Sequence, residues 1–218
     1  MTRPHFHAVI FDCDGVLVDS EPAAFDLLAD DLSRHGLTLP RDRMERDFLG
    51  GTIRGVWLKA RALGATFPDD WVEDFYERLY ARLAQGTALI PGIEAVLDGL
   101  DANHIPYAVG SNGSDRKMEV TLGQHPAFRA RFQGRLFSGQ TLGTPKPAPD
   151  LFLHAAREMK VKPQNCAVID DSPTGCLAAR NAGMACFGFA AHDDGKSLSA
   201  VGATVFHDMS ELTALLRL

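Results

Sequence analysis

The chain has 218 residues, 45% of them hydrophobic and 23% charged, with a formal net charge of −6. That length buries a sizeable core and holds one large domain or one and a half, and the apolar content argues against disorder. A negative balance argues against nucleic-acid binding, which shows as a basic patch, and no apolar stretch approaches the length of a membrane span.

The N-terminal residues Met1–His5 lead straight into the apolar run Ala8-Val9-Ile10-Phe11. A cleaved signal peptide would remove that predicted strand, so the chain reads as cytoplasmic. His5 and His7, ahead of the run, read as solvent-facing. The run ends in Asp12-Cys13-Asp14-Gly15, two carboxylates one residue apart at the rim of a buried strand. Such a pair is costly unless a cation or a proton compensates it, and a hard divalent metal, Mg²⁺ above all, prefers oxygen ligands of this kind.

Residues 20 to about 86 contain no convincing strand. Phe25-Leu28-Leu32 and Trp71-Phe75-Leu79-Leu83 repeat at helical spacing and predict two amphipathic helices. Gly50-Gly51, Gly64 and Phe67-Pro68-Asp69 punctuate this stretch, with Asp69 read as an N-cap. Arg54, Lys59 and Arg61 read first as the charged face of a surface helix and second as partners for an anion. The stretch is an all-helical insertion after the first strand.

From residue 88 onward, strand-like runs near 105–111, 134–138, 166–170, 185–189 and 203–206 alternate with helical patterns such as Ile93-Val96-Leu97-Leu100. This is the signature of a parallel sheet covered on both faces, an α/β doubly wound fold with a smaller helical unit. Ligands of such sheets bind beyond the carboxyl ends of the strands. There the sequence places Ser111-Asn112-Gly113, then Lys146 between Pro145 and Pro147, then a second acidic pair, Asp170-Asp171, closing Cys166-Ala167-Val168-Ile169. Taken singly, each piece has an ordinary reading as a turn, a solvated lysine or the cap of a helix starting near Thr174. The cysteines at 13, 166, 176 and 186 lack Cys-x-x-Cys spacing and read as reduced, buried thiols. His154 and His192 match no ligand pattern.

With all four pieces in order, the chain resembles the haloacid dehalogenase superfamily of phosphohydrolases over essentially its whole length. Asp12 to Glu21 is similar to the first motif, Ser111 to the second, Lys146 to the third, and Asp170 to Gly175 to the fourth. Ser111-Asn112-Gly113 with Lys117-Met118, Leu136 to Gly139, and His154-Ala155-Ala156 most resemble bacterial sugar-phosphate phosphatases of the 6-phosphogluconate type, in the β-phosphoglucomutase-like branch. The resemblance implies a catalytic core of residues 1–19 and 87–218. It also implies a helical cap of residues 20–86 that closes over the active site, with hinges near Val16–Ser20 and Thr87–Pro91.

It further implies Asp12 as nucleophile and Asp14 as general acid and base. Mg²⁺ would be held by Asp12, the backbone carbonyl of Asp14 and Asp171, with Asp170 binding directly or through water. Ser111, Asn112 and Lys146 would grip the phosphate. The substrate implied is a small phosphorylated metabolite, a sugar phosphate or a phosphorylated sugar acid. A solvated aspartate is a poor acid at neutral pH, so the Asp14 pKa is expected to rise when the cap excludes water.

Three rivals fit less well. A receiver-type signalling domain is shorter and carries its acceptor aspartate on a central strand. A phosphomutase of the same branch has a cap arginine where this chain has Ile53, with Arg54 one place late. A dehalogenase lacks the carboxylate supplied here by Asp14.

Overall fold

The computed structural model describes residues 6–218, so the reading of Met1–His5, His5 included, lies outside the described residues. All six predicted strands form: β1 (Ala8–Phe11), β2 (Tyr107–Ser111), β3 (Leu136–Ser138), β4 (Cys166–Asp170), β5 (Ala185–Phe189) and β6 (Thr204–Phe206). They pair in parallel in the order β3-β2-β1-β4-β5-β6. The direction of strand addition reverses at β1, the position where such sheets open a crevice for ligands.

Between β1 and β2 lie α1 (Glu21–Arg34), α2 (Arg41–Phe48), α3 (Ile53–Ala62), α4 (Trp71–Leu83) and α5 (Ile93–Ala102). Then α6 (Asp115–Leu122) and α7 (Pro126–Ala130) follow β2, and α8 (Asp150–Glu158) follows β3. Finally α9 (Pro173–Asn181), α10 (Lys196–Ala200) and α11 (Met209–Leu216) follow β4, β5 and β6. Among the described residues no helix is long and apolar enough to cross a membrane.

Strand alternation sets the layers, because successive side chains point to opposite faces. Val9, Phe11, Val109 and Ile169 face one side, where Ile93 and Leu97 of α5 and Leu212 of α11 cover them. Ala8, Ile10, Ala108 and Val168 face the other, under Phe152 and Ala155 of α8 and Ala178 of α9. A strand buried on both faces must be apolar throughout, which is why β1 and β4 read as unbroken hydrophobic runs. All four cysteines are free and buried. Burial first, then the Asp14 and Asp12 charges, push the Cys13 thiol well up, so it packs as a small apolar group.

Helices α1 to α4 share a hydrophobic core of their own. Phe25, Leu28 and Leu32 meet Trp71, Phe75, Leu79 and Leu83, as their spacing predicts, each large side chain contributing about 1.5–3 kcal/mol. Buried Asp31 accepts hydrogen bonds from Trp71 Nε1 at 2.5 Å and Arg78 Nη1 at 2.6 Å. The start of α4 differs from expectation: its N-cap is Asp70, not Asp69, and no side-chain cap bond forms. Trp71 instead stacks between Phe67, at 4.4 Å, and Phe75, at 5.0 Å, so aromatic packing fixes this terminus.

Two chain crossings link this unit to the sheet, and they run side by side. Asp19 N donates to Ala88 O at 2.9 Å and Ile90 N to Leu17 O at 3.0 Å, with Val18 and Leu89 forming an antiparallel bridge.

Candidate active site

Strand register brings the distant motifs together. Phe11 lies beside Val109 of β2 and Ile169 of β4, so the next residues up, Asp12 and Asp170, stand on adjacent strands near Ser111. Neighbouring strands are about 4.8 Å apart, close enough for their terminal side chains to share one charge.

Lys146 supplies part of that charge. Its Nζ donates to Asp12 Oδ1 at 2.5 Å and to Asp170 Oδ2 at 2.8 Å, and its side chain is only 2% exposed. These carboxylates hold the ammonium above its usual pKa against the opposing effect of burial. Burial pushes the Asp12 carboxyl up to about 7, against the attraction of Lys146 and with added repulsion from Asp170 and Asp14. The Asp171 carboxyl is driven well above its ordinary value by burial and then by Glu21, Asp170 and Asp12. Glu21, at the start of α1, is pushed up to about 8 by burial and then by Asp14. The crest of the sheet is short of positive charge.

Asp14 behaves differently from expectation. It is half-buried beneath the helical unit, and its desolvation acts to raise its pKa. Lys117 Nζ, 2.8 Å from Asp14 Oδ2, outweighs that effect with help from Ser20 Oγ, which donates to Asp14 Oδ1 at 2.5 Å. The carboxyl is held below its usual range, so exclusion of water alone does not make Asp14 an acid. Lys117 is raised in turn, as the Asp14 charge outweighs burial.

The second and third motifs interlock. Ser111 Oγ accepts from Gly113 N at 2.9 Å. Asn112 Oδ1 accepts from Lys146 N at 2.8 Å, while Nδ2 donates to Lys146 O at 3.2 Å and Gly50 O at 2.9 Å. The Asn112 side chain therefore holds the Lys146 loop and the α2–α3 turn. Ser172 caps α9 by accepting from Gly175 N, and it donates to Asp170 Oδ1 at 2.7 Å. The cap reading of this motif is thus correct for Ser172, while Asp170 faces Lys146.

Above the crest lies a cleft floored by Asp12, Asp14, Ser111, Lys146 and Asp171 and roofed by α1, α3, α4 and the α2–α3 turn. Ile53 lines it, whereas Arg54 and Arg61 stack over Trp57 at 4.5 Å each and Lys59 Nζ donates to Asp47 O at 2.6 Å. The surface-helix reading of those three cations is the one observed. Glu21, Ser20 and Lys117, which the sequence motifs include without a role, also line the site. Lys117 was visible only through the family resemblance, because a lone helical lysine ordinarily reads as solvated.

A divalent metal fits the donor set. Carboxylate oxygens of Asp12, Asp170 and Asp171 lie within 4.8 Å of one another, all hard donors suited to Mg²⁺ or a similar ion. Gly15, at φ +73°, lets the loop approach so closely that a Cβ there would lie 2.0 Å from Asp171 Oδ2. The Asp14 carboxylate, occupied by Ser20 and Lys117, lies outside this cluster.

Such a crest, under a helical roof on a doubly wound sheet, defines an acid-based hydrolase site. The haloacid dehalogenase-like hydrolase family model matches residues 6–183, and the chain belongs to that family. It is 33% identical over 210 residues to 6-phosphogluconate phosphatase of Escherichia coli, covering 95% of this chain and 93% of that protein. Hexitol phosphatase A of the same organism is 29% identical, with 94% and 92% covered. A HAD family hydrolase of Deinococcus radiodurans, solved with bound phosphate and sodium, superposes with a TM-score of 0.77 at 30% identity, covering 98% of this chain and 96% of that one.

Proposed function

We propose that the chain is a Mg²⁺-dependent phosphatase of small phosphate monoesters, a sugar phosphate or phosphorylated sugar acid, acting through an aspartyl phosphate on Asp12. The observation that carries this reading is the Asp12 carboxylate, set between the Lys146 ammonium and the cleft with Asp14 on the same loop. Asp12, Asp171, Asp170 and the Asp14 backbone carbonyl would hold the metal. When bound, the ion supplies the positive charge that lets a carboxylate and a phosphate dianion approach.

Asp12 attacks phosphorus and the ester oxygen leaves, which divides a very slow hydrolysis into two easier transfers. Lys146 holds Asp12 in position and neutralises the transferring oxygens, with Ser111 at their side. Asp14 donates a proton to the leaving oxygen, then takes one from the water that cleaves the phosphoenzyme. Because Lys117 keeps Asp14 ionised in the free site, protonation accompanies substrate binding. The phosphate charge repels the carboxylate and competes for the ammonium, and both effects raise its pKa.

Residues 20–86 act as the cap and residues 1–19 with 87–218 as the core, a reading supported by the separate core of α1–α4 and the paired crossings. Hydrolysis is favoured over phosphomutase activity because Ile53 lines the cleft while Arg54 is occupied on Trp57. A cytoplasmic enzyme acting on a soluble metabolite, without nucleic acid, fits the acidic chain. The test is steady release of phosphate from a generic aryl phosphate, abolished by EDTA and restored by Mg²⁺. Undiminished turnover in EDTA would remove the metal from the mechanism, and a single stoichiometric phosphorylation would favour a signalling role.

A further inference from the structure

We infer that the substrate is the phosphate ester of an uncharged, hydroxylated alcohol, with the phosphate as its only anionic group. This rests on the phosphatase reading and narrows it, setting aside the phosphorylated sugar acid.

The charges around the cleft carry the argument. Its lining holds four carboxylates, Asp12, Asp14, Glu21 and Asp171, against two ammonium groups, Lys117 and Lys146. Both ammonium groups are engaged, Lys146 with Asp12 and Asp170 and Lys117 with Asp14. Even with all four ionised around a divalent cation, the lining would be formally neutral before the phosphate brings its own negative charge.

The roof offers a second anion nothing. Phe25, Leu28, Ile53, Val56 and Phe75 make it largely apolar, and its single charged side chain is the acidic Glu21. Four basic residues of α3 and α4 are committed elsewhere: Arg54 and Arg61 lie over Trp57, Lys59 donates to a backbone carbonyl, and Arg78 pairs with Asp31 and Asp74, while Arg82 does not line the cleft. A carboxylate or second phosphate on the leaving group would lose water against hydrocarbon, face Glu21 and gain no counter-charge. An unpaired buried charge is among the costliest errors a site can make, so discrimination on this basis is strong.

An uncharged polyol or sugar meets the opposite situation. The Glu21 carboxyl, pushed up to about 8 by burial and then by Asp14, can donate to or accept from its hydroxyls. The Tyr76 hydroxyl and Gln140 amide, bonded to each other at 2.8 Å, offer further partners at the edge of the roof. Its C–H surface packs on the apolar wall.

The experiment compares kcat/KM with Mg²⁺ for a hexitol phosphate, a hexose monophosphate, 6-phosphogluconate and a hexose bisphosphate, with an aryl phosphate as reference. The expected result is at least about tenfold higher kcat/KM for the two singly phosphorylated neutral alcohols. Ile53→Arg, which puts a cation on the roof, and Glu21→Gln, which removes its acidic group, should each shift preference toward the doubly charged esters. Equal or better turnover of 6-phosphogluconate or the bisphosphate by the wild type would overturn the inference and leave the phosphatase reading standing. Activity confined to the aryl ester, or unchanged preference in both folded variants, would also overturn it. No turnover of any ester would bring down the phosphatase reading itself.

Discussion

Asp12 and Asp14 are two residues apart yet live in different electrostatic surroundings. Asp12 shares Lys146 with a second carboxylate and is pushed up to about 7 by burial, whereas Asp14 has Lys117 and Ser20 to itself and is held low. Under the proposed mechanism, the difference separates a nucleophile from an acid and base that acquires its proton with substrate. Asp14→Asn should therefore slow a sugar ester about a hundredfold or more than it slows an aryl ester, because an aryl oxide leaves without a proton and an alkoxide does not. Rapid-quench kinetics on both esters would show it, with phosphoenzyme accumulating on the aryl substrate. Equal losses on both, without an accumulated intermediate, would make Asp14 a structural group. Asp12, with Asp14 two residues on, and Ser111 were legible because they close apolar runs in a sheet whose ligands gather at strand ends, whereas Lys146, between Pro145 and Pro147, was legible through the order of the motifs. Lys117 and Glu21 were not, since each sits on a helix where charge is commonplace and only the fold turns it inward.

At the scale of elements, the turn between α2 and α3 is the point where the helical unit touches the crest. Gly50 has φ +68°, its carbonyl accepts from Asn112, and a Cβ there would lie 2.5 Å from Ser172 Oγ. Ser172 is in turn bonded to Asp170, so the turn, the α9 cap and the acidic crest are one contact. Gly50→Ala should displace the turn and lower kcat/KM by about 100-fold, the cost of roughly an ångström of misplacement. The melting temperature should fall by only about 3 °C, as expected for a loss near 1 kcal/mol in a chain of this size. Unchanged kcat/KM in the variant would show that the turn does not govern the site. The glycines at 50 and 51 were legible as a break between helices. Their close approach was not, because it depends on which loop of the sheet the turn meets. Likewise, α4 starts one residue later than Asp69 suggested because Trp71 packs between two rings, an effect local capping rules do not include.

Across the whole molecule, the helical unit is held against the core by contacts from α4 and the α2–α3 turn. Tyr80 Oη and Ser114 Oγ are 2.6 Å apart, Gln140 donates to Tyr76, Asn112 donates to Gly50, and Arg116 of α6 forms a bidentate pair with Glu77. The sheet supplies the charged floor and the helices an apolar roof, which under the proposed function places chemistry and specificity in different parts of the chain. Alternating strand and helix patterns made the sheet and the insertion legible in outline. Which face of the insertion turns toward the floor depends on pairings such as Arg54 and Arg61 with Trp57, which no periodicity shows. The central claim is that Asp12 carries the phosphoryl group. Hydroxylamine trapping of the enzyme during turnover, followed by mass spectrometry of its peptides, tests it most directly. The account predicts modification at Asp12 alone, lost in Asp12→Asn; modification at Asp14, Asp170 or Asp171, or none during active turnover, would contradict it.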